Sequence, residues 1–255
     1  MPLLDVIDLS AGYGPVPVLV SAHLTVGEAE IVAVLGANGA GKTTLLRTVA
    51  GLLPPSGGSV SFGGRPITGL PAEALARLGI QLIPEGGGIL RALSVLENLR
   101  LANWRAGAGG RGAEPARLVR AFELFPELGP RRHQPAGSLS GGERQMLALA
   151  QTTMTDARLL LIDEASLGLA PVIVARLFEI IAGRRKEGRS VVLVEQNAHQ
   201  AAAVADRVHV MEKGRLGPPL DPGSITGGNL EDLYGRGRPR TEGNSAVRER
   251  FATGQ

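Results

Sequence analysis

A chain of 255 residues that is 44% hydrophobic and 20% charged has enough apolar material for one sizeable core and the make-up of an ordinary globular protein. It contains no cysteine, which excludes disulfides, cysteine-ligated zinc and thiol catalysis. Its net charge of +3 resides in residues 235–255, a Gly/Arg-rich tail that reads as disordered and solvated, so the rest is neutral and lacks the basic face of a nucleic-acid binder.

The apolar runs Ile31–Leu35, Leu159–Ile162 and Val191–Val194 are of strand length, short of the ~20 residues that a spanning helix needs. Asp5 and Asp8 stand where a secretion signal would be basic. The expectation is a cytoplasmic protein that reaches a membrane only through partners.

In chain order, Asp5–Leu9, Val18–Leu24 and Glu30–Leu35 read as short β segments, and Thr43–Ala50 as a helix. Gly57–Gly64 reads as a turn and a strand. Helical spacing recurs at Val95–Trp104, Pro115–Phe125 and Gly142–Thr155, with the Gly-rich stretch Gly107–Gly112 between the first two. Leu159–Asp163, Val191–Glu195 and Val208–Met211 are further strands, alternating with helices at Val172–Ala182 and Ala198–Ala205. Strand–helix alternation at both ends predicts an α/β fold with a mainly parallel sheet, an antiparallel β segment near the N-terminus and a helical insertion.

Residues Gly36–Thr43 fit Gly-x4-Gly-Lys-Ser/Thr, preceded by a strand and followed by a helix. Glycines let the backbone wrap phosphates, Lys42 reaches the β- and γ-phosphates, Thr43 offers a hydroxyl to Mg²⁺, and the helix adds its positive end. Leu159–Ile162 end in Asp163 and Glu164, which a buried parallel strand delivers to its carboxyl edge. There Asp163 can hold Mg²⁺ and Glu164 can polarise a water. An acid pair can also cap the next helix; the phosphate loop favours the catalytic reading.

Leu139-Ser140-Gly141-Gly142-Glu143-Arg144-Gln145 places a serine hydroxyl and two glycine N–H groups at a helix start, a second anion site. This stretch, lying between the loop and the acid pair, resembles the signature of the ABC ATPases. The resemblance spans about Leu4 to Gly217 and implies a P-loop NTPase (RecA-like) core over residues 1–85 and 156–234, with a helical subdomain at 86–155. It implies ATP contacts at Tyr13 (stacking on adenine), Gly36, Asn38, Gly39, Gly41, Lys42, Thr43, Thr44, Glu85, Ser140, Gly141 and Gly142. Metal contacts fall to Thr43, Asp163 and Glu85, and catalysis to Glu164, Gln196 and Lys42, with ATP and Mg²⁺ as the bound species. Gly36–Thr44, Ile83-Pro-Glu-Gly, Ser166–Pro171 and Val194–Asn197 look like the branched-chain amino-acid importers in particular.

Glu85 stands where the wider family has Gln, Gln196 where it has His, and Leu169 where it has Asp. All three are similar to the importer pattern. Ala165 in place of Pro, and Gln151-Thr-Thr-Met in place of a helix-favouring run, match neither. The expected partners are membrane-spanning permease subunits, a second ATPase subunit (identical or related) and, indirectly, an extracytoplasmic solute-binding protein, with no nucleic acid. The alternatives are a non-transport ABC ATPase, which would carry a coiled-coil insertion or two fused halves, and a nucleotide-binding regulator with little turnover.

Overall fold

The computed structural model describes residues 1–105 and 110–225, so the 235–255 tail lies outside the described residues. The central sheet has six strands in the order β10 (Arg215–Leu216), β9 (Arg207–Glu212), β3 (Ile31–Leu35), β8 (Ser190–Glu195), β7 (Leu159–Asp163) and β6 (Ile80–Ile83). All neighbours are parallel except β10 on β9. A second, antiparallel sheet of four strands runs β2 (Leu19–Val26), β1 (Leu4–Ala11), β4 (Gly57–Phe62) and β5 (Arg65–Pro66).

The two-residue period of a strand explains the layering. Val32 and Val34 of β3 face one way and join Leu4, Val6 and Leu9 of β1 and Leu45 and Leu46 of α1 (Lys42–Val49). Ile31, Ala33 and Leu35 face the other way and join Leu99, Ala121, Leu147 and Leu177. Each fully buried Leu, Val or Ile contributes about 1.5–3 kcal/mol, so the doubly covered strands β3, β7 and β8 form the rigid frame. Leu99, Ala121 and Leu147 come from α3 (Val95–Arg105), α4 (Gly110–Leu124) and α5 (Gly141–Gln151), the helices inserted between β6 and β7.

Four helices differ from their expected bounds by more than two residues at one end. The helix expected from Pro115 begins at Gly110 and carries Pro115 inside it, at the cost of one backbone hydrogen bond. The helix expected to run to Thr155 tightens at Thr152–Met154 into a 3-10 turn, where Thr152 and Thr153 donate their hydroxyls back to the Leu149 and Ala150 carbonyls. Two further helices, α6 (Pro171–Lys186) and α7 (Ala198–Ala202), differ in length from the expectation. In α6 the last turn is extended by Arg184, whose buried guanidinium pairs with Glu187. Sequence reading passed over α2 (Ala72–Leu78) and the four-residue β6; Gly79, a left-handed cap at φ 98°, was the signal that separates them.

Gly214, in the β9–β10 turn, ties the two sheets to the loop before α1. Its carbonyl accepts from the Val20 N–H (2.8 Å) and its N–H donates to the Ala40 carbonyl (2.8 Å). At φ 78°, an added Cβ would lie 2.0 Å from the Val18 carbonyl oxygen. Gly214→Ala is therefore expected to cost at least about 1 kcal/mol of stability, seen as a lower denaturant midpoint, and to weaken nucleotide binding by shifting the neighbouring loop. An unchanged midpoint would mean that the turn relaxes freely.

Candidate functional site

Three strand ends create the site. Leu35 pairs with Glu195 and Asp163 with Val194, so the carboxyl ends of β3, β7 and β8 finish at one level. The segments that leave them are Gly36–Gly41, Glu164–Ala170 and Gln196–Asn197, and they gather at one edge of the sheet.

The first segment needs its glycines. Gly39 lies at φ 76° and Gly41, the N-cap of α1, at φ 109°. A Cβ on Gly36 would stand 2.7 Å from the Met211 carbonyl oxygen. Lys42, only 3% exposed, folds back over this loop. Its Nζ donates to the carbonyls of Gly36 (2.8 Å) and Ala37 (3.1 Å) and pairs with Glu164 Oε1 at 2.9 Å.

From β7, Asp163 Oδ1 accepts the Thr43 hydroxyl at 3.1 Å. Burial pushes the Asp163 carboxyl above the usual carboxylate range, and the charges of Glu164 and Glu85 push it the same way; Thr43 and Lys42 oppose them. Glu164 adopts the left-handed φ of 43°, uncommon for a residue with a side chain. Its Oε2 accepts from Gln196 Nε2 at 2.7 Å, and the same nitrogen donates to Asn38 Oδ1 at 2.6 Å. Lys42, Glu164, Gln196 and Asn38 thus form one chain of contacts across the three strand ends.

Beside them is a cavity of about 470 Å³, lined by Tyr13, Val18, residues 38–44, Glu85, Glu164 and Leu167. Tyr13 is 60% exposed at its rim, and its phenol oxygen accepts from Arg47 at 3.4 Å. Tyr13, Asn38, Gly39, Gly41, Lys42, Thr43, Thr44, Glu85 and Glu164 are brought together here as sequence reading expects. Val18 and Leu167 complete the wall without having been singled out.

The carboxylates of Glu164 and Glu85 both act on Asp163. Among the described residues no group of three or more His, Cys, Asp and Glu could hold a metal ion unaided. The pair Thr43 and Asp163 instead suits Mg²⁺, which takes one or two protein oxygens and completes its shell with phosphate oxygens and water.

Ser140, Gly141 and Gly142 are not among the residues lining this cavity. They begin α5, where Ser140 and Glu143 form a reciprocal cap: Ser140 Oγ accepts the Glu143 N–H at 3.3 Å and Glu143 Oε2 accepts the Ser140 N–H at 2.8 Å. Ser140 and Gly141 are exposed. Within one chain, then, the two stretches that sequence reading assigns to phosphate do not border the same cavity.

The ABC transporter family model matches residues 19–167, which include the glycine loop, the Ser140 turn and the Asp163–Glu164 pair. The chain belongs to the ABC transporter family. It is an ATP-binding cassette of the ATP-hydrolysing kind. This cassette is 43% identical over 208 residues to the high-affinity branched-chain amino acid transport ATP-binding protein BraG of Pseudomonas aeruginosa, covering 82% of this chain and 88% of that one. It is 34% identical to the probable branched-chain amino acid transport ATP-binding protein LivF of Archaeoglobus fulgidus, covering 84% and 90%. A solved structure of an ATP-binding subunit of an ABC transporter superposes with a TM-score of 0.79 at 28% identity, covering 92% of this cassette and 98% of that chain.

Removing the buried amine tests the loop. Lys42→Ala is expected to weaken MgATP binding by about 10- to 100-fold or more, with the fold intact by circular dichroism, because a charge-assisted contact to phosphate is lost. Calorimetry showing unchanged affinity would move ATP out of the Gly36–Thr43 loop. Gln196→Ala, by contrast, should slow hydrolysis while leaving affinity nearly unaltered, since most phosphate contacts come from the loop. An unaltered rate of phosphate release would place Gln196 outside the working site.

Proposed function

We propose that this cassette powers a membrane transporter by binding ATP with Mg²⁺ and hydrolysing it, paired with a second cassette, and that the transporter imports branched-chain amino acids or similarly small solutes. The observation that carries this reading is a cavity lined by Lys42, Thr43 and Glu164, with Asp163 bonded to Thr43 and Gln196 bonded to Glu164 from behind that lining. The solute class is supported by the likeness to BraG and LivF.

Tyr13 offers a ring face to adenine, and the N–H groups of residues 39–44 surround the phosphates. Lys42 offsets charge on the β- and γ-phosphates, which compete with Glu164 for its amine. Thr43 and Asp163 would hold Mg²⁺, which supplies charge stabilisation as the terminal phosphoryl group transfers. Glu85 is placed to contact the same region through water. Glu164, released from Lys42, orients a water and takes up its proton, and Gln196 donates an amide hydrogen to the γ-phosphate.

The exposed Ser140–Gly142 turn supports a sandwich in which each cassette completes the other's site. A single ATPase domain over residues 1–234, with core segments 1–85 and 156–234 and a helical subdomain at 86–155, fits this scheme. No helix among the described residues is long and apolar enough to cross a membrane. Permease subunits would therefore supply the pathway and hold the cassette on the inner face of the membrane from the cytoplasm. The segment Glu85–Arg91, with Leu90 exposed, joins the site to the inserted helices and is the place for a permease helix to dock. An extracytoplasmic solute-binding protein would deliver the solute, and no nucleic acid takes part.

Glu164→Gln tests the chemistry. It preserves size and removes the base, so phosphate release should fall by about 10²–10⁴-fold while ATP still binds. Trapped ATP should hold two cassettes together, either two copies of this chain or this chain with its related partner, and light scattering should show an ATP-dependent dimer that ADP does not support. Wild-type phosphate release would remove Glu164 from its role. Monomers under both conditions, with and without the partner, would remove the sandwich.

A further inference from the structure

Glu195, the last residue of β8, is a buried carboxylate that takes no part in the chemistry above. It is 2% exposed and does not line the cavity. A buried carboxylate is costly unless its oxygens are hydrogen-bonded, and here both are engaged. Oε1 accepts the Ser166 N–H at 3.1 Å, Oε2 accepts the Ser166 hydroxyl at 2.8 Å, and the Gln196 backbone N–H is a further donor to the carboxylate. One side chain therefore joins the segment after β7 to the segment after β8.

We infer that Glu195 is a positioning residue for ATP hydrolysis: through Ser166 and the Gln196 backbone it clamps two loops so that Glu164 and Gln196 keep their 2.7 Å contact. The three residues Glu164, Ala165 and Ser166 are pinned to β8 at both ends. The Glu164 N–H donates to the Val194 carbonyl at 3.0 Å, and Ser166 is held by Glu195. Between the pins, Ala165 is buried and Glu164 lies at φ 43°. A left-handed non-glycine residue persists only where its surroundings over-determine it. The second pin supplies that constraint on the C-terminal side of Glu164, and through its own backbone Glu195 fixes where Gln196 begins.

This inference rests on the roles proposed for Glu164 and Gln196, and the experiment separates the two. Full-length Ser166→Ala, Ser166→Thr and Glu195→Gln variants are compared for ATP affinity by calorimetry, thermal midpoint, and kcat and KM of phosphate release. A small displacement of a catalytic group costs up to about 100-fold, and one hydrogen bond to a charged group accounts for roughly tenfold, so kcat should fall about tenfold in Ser166→Ala and about 10- to 100-fold in Glu195→Gln. Affinity and KM should stay within about twofold of the wild type, because the Gly36–Thr43 loop is untouched. Ser166→Thr, which keeps the hydroxyl, should recover most of the rate. In a Glu164→Gln background, Ser166→Ala should lower the residual rate no further, since the clamp acts through Glu164.

An unchanged kcat in Ser166→Ala and Glu195→Gln, with Glu164→Gln inactive, would overturn the clamp and leave the catalytic reading standing. A kcat loss matched by an equal loss of affinity would overturn the clamp as well. So would failure of Thr to restore the rate, or a further fall in the Glu164→Gln background. A fully active Glu164→Gln would instead remove the catalytic reading, and the clamp with it.

Discussion

Parallel pairing of β3, β8 and β7 is the constraint on which the site depends. The register sets Leu35 beside Glu195 and Val194 beside Asp163, so three loops distant in sequence emerge at one level. Apolar burial on both faces makes that register hard to slip, because a one-residue shift would turn every side chain of a strand to the opposite core. The loops hold few large apolar residues of their own. They keep their shape by hydrogen bonds to one another and to the strand ends.

Electrostatics gives the edge its character. Lys42 is buried beside Glu164 and also acts on Asp163, which in turn feels the charges of Glu164 and Glu85. Burial first, and then the like charges of Glu164 and Glu85, push the Asp163 carboxyl upward. A magnesium–triphosphate complex suits such a place, since its metal meets the carboxylates while its oxygens meet Lys42 and the loop N–H groups. Gln196, which carries no charge, can bond Glu164 and Asn38 at once without altering this balance.

The parts of this arrangement that are local in the chain were legible from the residues. Gly36–Thr43 announces a phosphate loop because glycine, lysine and threonine must stand at fixed offsets, and Leu159–Glu164 announces a strand end because four apolar residues run into two acids. What stayed hidden depends on contacts between distant positions. Glu195 and Ser166 are 29 residues apart, and nothing in either neighbourhood marks them as partners. The edge strand β6 is four residues long and follows α2 after a single glycine, so its periodicity is too brief to read. Pro115 argued locally for a helix start and was overruled by the packing of α4 against the α5 region, where Ala121 is fully buried. At Ser140 the spacing to Glu143 was visible but was read as part of the signature, while its role as a cap is equally plain in the geometry.

That cap bears on the proposal that the start of α5 meets a phosphate. A serine hydroxyl has two lone pairs and one proton, and the bond from the Glu143 N–H occupies only a lone pair. Glu143 reciprocates by accepting the Ser140 N–H, its carboxylate also interacts with the Ser140 hydroxyl, and it is itself steadied by Arg131 at 2.9 Å. The hydroxyl proton of Ser140 therefore already has a carboxylate to meet, and an anion at the helix start would compete with Glu143 for it. Such an exchange would trade one acceptor for another at the hydroxyl while the two backbone bonds of the cap stay in place, so the helix start would keep its shape.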